Sequence, residues 1–182
     1  MQVTVAPLSA EDQDGFLTAV AASRVLHRPW IQPPDSQEQF AAYLQHMGRE
    51  DQAAYVIRHF GCGELVGYVA ISNIVRRAFK SAYLGYGAFV GHAGRGLMTA
   101  GLRAVVDIAF GELALHRVEA NIQPGNVASI RLVRRLGFVR EGFSPRYLMI
   151  DGDWRDHERW ALRSDNWDSS AGSGGVPGPG TD

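Results

Sequence analysis

Apolar and polar positions alternate in seven stretches of this chain and recur at helical spacing in four others. Gln2–Leu8 alternates as a short strand, and the following segment predicts a helix to about Ser23, with Ser9 as N-cap and Asp12 in the first turn. His27–Pro34 (HRPWIQPP) carries three prolines, cannot be helical, and reads as a rigid connection to a helix capped by Ser36. Ala53–Phe60, Leu65–Val75 and Ser81–Val90 read as a three-stranded meander, the first two strands joined by a tight GCGE turn. A helix follows over about Arg95–Phe110, where Met98, Leu102, Val105, Val106, Ala109 and Phe110 share a face. Gly101 within it costs about 1 kcal/mol relative to Ala and predicts a close approach. His116–Gln123 is a strand, Asn126–Leu136 a helix, and Phe138–Ile150 and Trp154–Leu162 a closing hairpin around IDGD. Residues 1–163 therefore read as one domain, and 164–182, rich in Gly, Ser and Pro, as a disordered tail.

Composition narrows the function. The 182 residues carry a net charge of −1, and Lys80 is the single lysine among 18 basic residues. A nucleic-acid binder that relies on phosphate contacts would carry a dense basic block, so no direct nucleic-acid partner is expected. The lone Cys62 cannot form an internal disulfide, and no HExxH or paired Cys/His spacing is present, so no metal is expected. With no leader pattern and no long apolar run, the chain reads as cytoplasmic and without a membrane partner.

The chemistry concentrates between Gly91 and Ser129. GHAGRG follows a strand and opens a helix, which presents several amides without intrahelical partners to an anion. GYGAFVG, just upstream, superficially matches a dinucleotide fingerprint, but AFV continues a strand instead of opening a helix. On HRVEANI, Val118, Ala120 and Ile122 share one face and Arg117, Glu119 and Asn121 the other. A carboxylate on a central strand is costly to bury unless paired or used, so Glu119 reads either as an ion-pair partner of Arg117 or of a neighbouring strand, or as a general base acting directly or through water. Asn126 and Ser129 form an N-x-x-S helix start that caps the helix on its own account. Arg28 and Trp30 on the proline-rich loop, with Asn73 and Tyr86 on strands, are candidates for an acceptor pocket.

The run GHAGRGLMTAGLRAVVDIAFGELALHRVEANIQPGNVASIRLVRRLGFVREG, together with HRPWIQPP, GELVGYVAISNIV and RYLMIDGDWRDHERWAL, resembles the GNAT N-acetyltransferase superfamily. Within it the chain is most similar to the ribosomal-protein-alanine (RimJ/RimL-like) branch. The resemblance implies an α/β GNAT fold, a mixed, largely antiparallel twisted sheet of about seven strands flanked by about four helices. The sheet would be splayed between the Ser81–Val90 and His116–Gln123 strands to admit acetyl-CoA. It implies that backbone groups of Phe89 and Val90 meet the pantetheine arm and the thioester oxyanion. The amides of Gly94, Arg95, Gly96, Leu97 and Met98 would surround the pyrophosphate, and Asn126 would hold the pantetheine. Ser129 would lie near the sulfur and protonate the departing thiolate.

Three departures stand out. Gly91 replaces the usual Gln or Arg, Ala100 a frequent Glu, and Arg146 the carboxylate that some relatives carry before Tyr147, which leaves Tyr147 an alternative proton donor. The acceptor is a peptide N-terminus, foremost the N-terminal alanine of a ribosomal protein, or a small amine such as an antibiotic, polyamine or amino acid derivative. A noncatalytic acyl-CoA-binding module is the other reading, and edge strands of the C-terminal hairpin could pair in a homodimer.

Overall fold

The computed structural model describes residues 2–169. Seven strands form one sheet in the order β1-β2-β3-β4-β5-β7-β6: β1 Val3–Pro7, β2 Ala53–His59, β3 Leu65–Val75, β4 Ser81–Ala88, β5 Arg117–Ile122, β6 Val139–Ile150 and β7 Asp153–Arg163. All neighbours run antiparallel except β4 and β5, which are parallel. The helices are α1 Gln13–Ala22, α2 Arg24–His27, α3 Gln37–Met47, α4 Leu97–Phe110 and α5 Val127–Arg135. None of them is long and apolar enough to cross a membrane.

Each face of the sheet has its own core. Val69, Ile71, Ala82, Leu84, Val118 and Ala120 pack with Leu102, Val105 and Val106 of α4 on one face. On the other, Phe16 of α1 and Phe40 of α3 pack with Tyr68 and Phe89, with ring centroids 5.2–5.6 Å from Phe16. Gly101 fulfils its expectation of close approach: a Cβ there would lie 2.4 Å from Ile57 Cδ1 and 2.6 Å from its Cγ2.

The parallel pair β4/β5 is joined for three residues only, Ser81↔Arg117, Ala82↔Val118 and Tyr83↔Glu119, after which the strands part. This is the splay expected from sequence, and the elements around it position the site.

Four expectations are corrected. The Ser81–Val90 strand ends at Ala88, because Val90–His92 turns as a short 3₁₀ segment. The helix expected from Arg95 starts at Leu97, with Gly96 as an N-cap in the left-handed region at φ 79°. A fifth helix, the single turn α2, lies beyond Ser23 and takes in His27, the first residue of the segment expected to be non-helical; it stops before Arg28, which is extended ahead of Pro29. The chain also stays folded past Arg163. Trp167 packs edge-on to Phe110, donates from Nε1 to Asp107 Oδ1 at 2.7 Å and lies under the Arg103 guanidinium at 4.5 Å. A lone Trp carries no period that a sequence pattern can register, but the outer face of α4 gives it apolar surface and a hydrogen-bond acceptor. From residue 170 onward the expected disordered tail lies outside the described residues.

Replacing Gly101 by Ala sets a gain in helix propensity of about 1 kcal/mol against overpacking of about 1–3 kcal/mol. With three Ile57 atoms inside 3 Å of the new methyl, Gly101→Ala is expected to lower Tm by a few degrees, at roughly 2–4 °C per kcal/mol, and calorimetry checks the sign.

Candidate active site

The parting of β4 and β5 leaves the end of β4 to be held by other elements. His27 of α2 donates from Nε2 to the Ala88 carbonyl at 2.8 Å, and Ser23 Oγ accepts the Val90 N–H at 3.0 Å while donating to Ala19 O at 2.7 Å. Both side chains are buried, at 4% and 1% exposure. Burial lowers the His27 pKa from 6.5 against the opposing pull of the Ala88 carbonyl, so the ring is neutral at physiological pH.

Beside this strand end lies a cleft of about 370 Å³ walled by Trp30, Tyr86, Gly94, Met98, Ser129 and Arg131 among others. Gly94 (φ 75°) and Gly96 (φ 79°) hold left-handed backbone that other residues rarely adopt, and they turn the chain into α4. The first-turn amides of α4 lack intrahelical partners, and no acidic side chain sits in that turn to compete for them. Arg131 and Arg135 of α5 add cationic groups to the same cleft. A polyanionic group entering here would meet a helix N-terminus, glycine backbone and two guanidiniums.

Tyr86 and Ser129 meet on the wall of this cleft, with Tyr86 Oη 2.7 Å from Ser129 Oγ. Asn126 accepts the Ser129 N–H through Oδ1 at 3.2 Å and so caps α5, which fixes the start of the helix that carries the serine. Desolvation pushes the Tyr86 pKa well above 10.0, with the Ser129 hydrogen bond opposing weakly, so the phenol keeps its proton and can donate it. Trp30 closes over the gap: a Cβ on Gly125 would lie 3.0 Å from its ring, and Gln123 Nε2 donates to the carbonyls of Pro29 and Trp30 at 3.2 and 3.3 Å.

The other expected residues are distributed differently. Glu119 lies on the opposite face of β5 from Val118 and Ala120, half-buried, where Arg117 Nε donates to its Oε1 at 2.8 Å. Arg117 also grips Glu141 with both terminal nitrogens, which holds the Glu141 carboxyl below its usual range. The ion-pair alternative for Glu119 is thus realised. Tyr147 sits where an irregularity interrupts the β6/β7 register, beside His157 at 6.0 Å between ring centroids and near Tyr83, away from the Tyr86–Ser129 pair.

Phe89 and Val90 do not present free amides for an oxyanion. The Phe89 N–H donates to Val66 O at 2.8 Å and the Val90 N–H to Ser23, because the end of β4 must satisfy its own backbone. Asn73 is exposed with φ 52° at the β3/β4 irregularity, so its identity suits left-handed backbone, and it lies outside the cleft. Arg28 is exposed and does not line the cleft; Arg95 and Leu97 line a separate groove beside His59 and Phe60. Sequence reasoning missed His27, Ser23, His92, Arg131 and Arg135. The basic run around Arg134 was the one available signal, and it does not say which arginines turn inward.

A cleft opened by the partial parting of two parallel strands beneath a glycine-capped helix, with two arginines and a Tyr–Ser pair on its walls, suits a ligand with an anionic end. The family model described as Acetyltransferase (GNAT) domain matches residues 2–139, and the chain belongs to that family. It is an N-acetyltransferase, and its relatives and structural neighbours include RimJ and ribosomal-protein-alanine acetyltransferases. Its relatives include the Bacillus subtilis (strain 168) protein named Probable N-acetyltransferase YjcK, 34% identical over 69% of this chain and 70% of that protein. The [Ribosomal protein uS5]-alanine N-acetyltransferase of Escherichia coli (strain K12) is 41% identical over 57% of this chain, an alignment spanning 54% of that relative. Among solved structures, Mycobacterium smegmatis RimJ in complex with CoA-disulfide superposes with a TM-score of 0.85 at 27% identity, covering 94% of this chain and 87% of that one. A spermidine N-acetyltransferase from Vibrio cholerae, at a TM-score of 0.77 and 21% identity over 90% and 96% of the two chains, shares the fold.

His27 and His157 both have pKa values lowered below 6.5 by burial. The unfolded chain therefore binds more protons than the folded one just below pH 6.5, and stability falls as pH drops through that window. Tm of the ligand-free protein is expected to decline from about pH 7 to about pH 5, with a shallower slope in His27→Gln, whose amide can still donate to Ala88 O.

Proposed function

We propose that this enzyme transfers the acetyl group of acetyl-CoA to the N-terminal α-amine of a protein, a ribosomal protein beginning with alanine being the leading candidate. The observation that carries the reading is the 2.7 Å Tyr86–Ser129 contact on the wall of a cleft that ends at the α4 N-terminus. In this reading the pyrophosphate rests on the amides of Gly94–Met98 with Arg131 and Arg135 nearby, and the pantetheine runs past Asn126 toward Ser129. The CoA complex of the RimJ neighbour, together with the name of the uS5-alanine relative, supports it.

Acetyl-CoA supplies the activated acyl group. The neutral amine nitrogen attacks the thioester carbonyl, the C–S bond breaks, the thiolate takes its proton from the Ser129 hydroxyl, Tyr86 passes its own proton to Ser129, and the proton that the nitrogen sheds on becoming an amide returns through solvent to Tyr86. Tyr86 suits this role because desolvation keeps its phenol protonated. No strongly basic side chain is then needed: an α-amine, with a pKa of about 7.7–8.0, is substantially neutral near physiological pH, while a lysine amine at about 10.4 is not. Glu119, held by Arg117, orders the acceptor face in this reading.

The same face argues for a peptide over a polyamine. Glu119 and Glu141 share Arg117, with Arg159 and Arg163 also near Glu141, and Glu158 pairs with Arg140 at 3.2 Å, so each of these carboxylates already has a guanidinium partner. A polycation would have to displace those partners.

Thiol release from acetyl-CoA is expected with short peptides beginning with Ala or Ser and not with spermidine; turnover with polyamines and silence with peptides would overturn the acceptor assignment. Ser129→Ala and Tyr86→Phe are expected to lower kcat by about 10²-fold or more while KM for acetyl-CoA changes little, the low end of what proton transfer contributes. Glu119→Gln is expected to lower kcat by less than either.

A further inference from the structure

At the edge of the cleft, which His92 also lines, the turn between β2 and β3 gathers side chains of metal-binding chemistry against the loop that leads into α4. Cys62 is exposed, with Sγ 3.5 Å from His59 Nδ1. Glu64 Oε2 lies 3.1 Å from His92 Nε2, and the rings of His59 and His92 stack with centroids 5.6 Å apart and 16° between planes. One donor atom from each of Cys62, Glu64 and His92 falls within 4.8 Å of the other two. His92 is 6% exposed, and its Nδ1 has no partner. The fold thus buries an imidazole, satisfies one of its nitrogens with a carboxylate that is itself exposed, and sets a thiol beside that pair.

We propose that Cys62, Glu64 and His92 form a three-donor site for a borderline transition-metal ion, with Zn²⁺ the best fit and water in the fourth position. The donor set of one sulfur, one nitrogen and one oxygen suits zinc and excludes the all-oxygen shells of Mg²⁺ and Ca²⁺. Zn–N and Zn–O bonds of about 2.0–2.1 Å at tetrahedral angles put two such donors roughly 3.4 Å apart, and the His92–Glu64 separation of 3.1 Å is close to that edge. Cys62 and Glu64 are exposed and can move to complete the shell, whereas His92 is fixed by burial. His59 stays outside it because its Nδ1 accepts the Gly61 N–H at 3.1 Å. A metal here fastens the β2–β3 turn to the loop two residues ahead of Gly94.

Cobalt titration of the chelator-stripped full chain tests this. One equivalent of Co²⁺ is expected to give the visible bands of a four-coordinate ion and a thiolate-to-cobalt band, both removed by Zn²⁺, and Zn²⁺ alone is expected to raise Tm. Cys62→Ser removes a ligand at an exposed position; it should abolish the thiolate band and weaken Zn²⁺ binding by more than the ~10–100-fold that loss of an outer-shell partner costs. Glu64→Gln should weaken it likewise. Absence of the thiolate band in the wild type, or Zn²⁺ affinity unchanged in both Cys62→Ser and Glu64→Gln, would overturn the proposal. These readouts are independent of acetyl transfer.

Discussion

Everything at this site depends on β4 leaving β5 after Tyr83 without leaving its own backbone unsatisfied. A strand that abandons a neighbour inside a sheet exposes hydrogen-bonding groups that cost several kcal/mol to bury unpaired. Here two side chains from the far layer, His27 and Ser23, take up the Ala88 carbonyl and the Val90 N–H, and β3 takes the Phe89 N–H. The aromatic core of Phe16, Phe40, Tyr68 and Phe89 locks that layer against the sheet. The opening is therefore stabilised from behind, and the cleft can stay open without an occupant.

The two faces of the opening differ in electrostatic character. On the α4/α5 face the groups are a helix N-terminus, two arginines and a protonated phenol, all favourable to phosphate or to a developing thiolate. On the opposite face, carboxylates and guanidiniums alternate and pair along β5, β6 and β7. The first arrangement discharges a leaving group; the second presents hydrogen bonds without a strong net field. The parity of strand residues produces this division, since Tyr83 and Glu119 are register partners and point away from the side that Tyr86 faces.

Much of the architecture was legible because each element repeats a simple period. The alternation of Val118, Ala120 and Ile122 with Arg117, Glu119 and Asn121 marked a half-buried strand, and the α4 pattern marked a helix with one inward face. The glycines of GHAGRG, with Ser36 and Asn126 as caps, located helix starts to within two residues. Residues whose roles come from contacts distant in sequence could not be read this way. Ser23 and Val90 are 67 positions apart, Tyr86 and Ser129 43, and Glu64 and His92 28. Arg28 and Asn73 looked like pocket residues by type and neighbourhood, yet the structure leaves both in solvent outside the cleft.

The sequence by itself therefore determined the seven strands, four of the five helices, their inward faces and the segment that carries the chemistry, because periodicity, capping and glycine placement act over a few residues; the family came from the resemblance of its motifs. Only the tertiary structure decided that Tyr86 belongs with Ser129, that Glu119 is held by Arg117, and that the Phe89 and Val90 amides are already used. Those outcomes depend on which side chains a sheet of mixed direction brings into hydrogen-bond range, and on which backbone groups it leaves for them to satisfy.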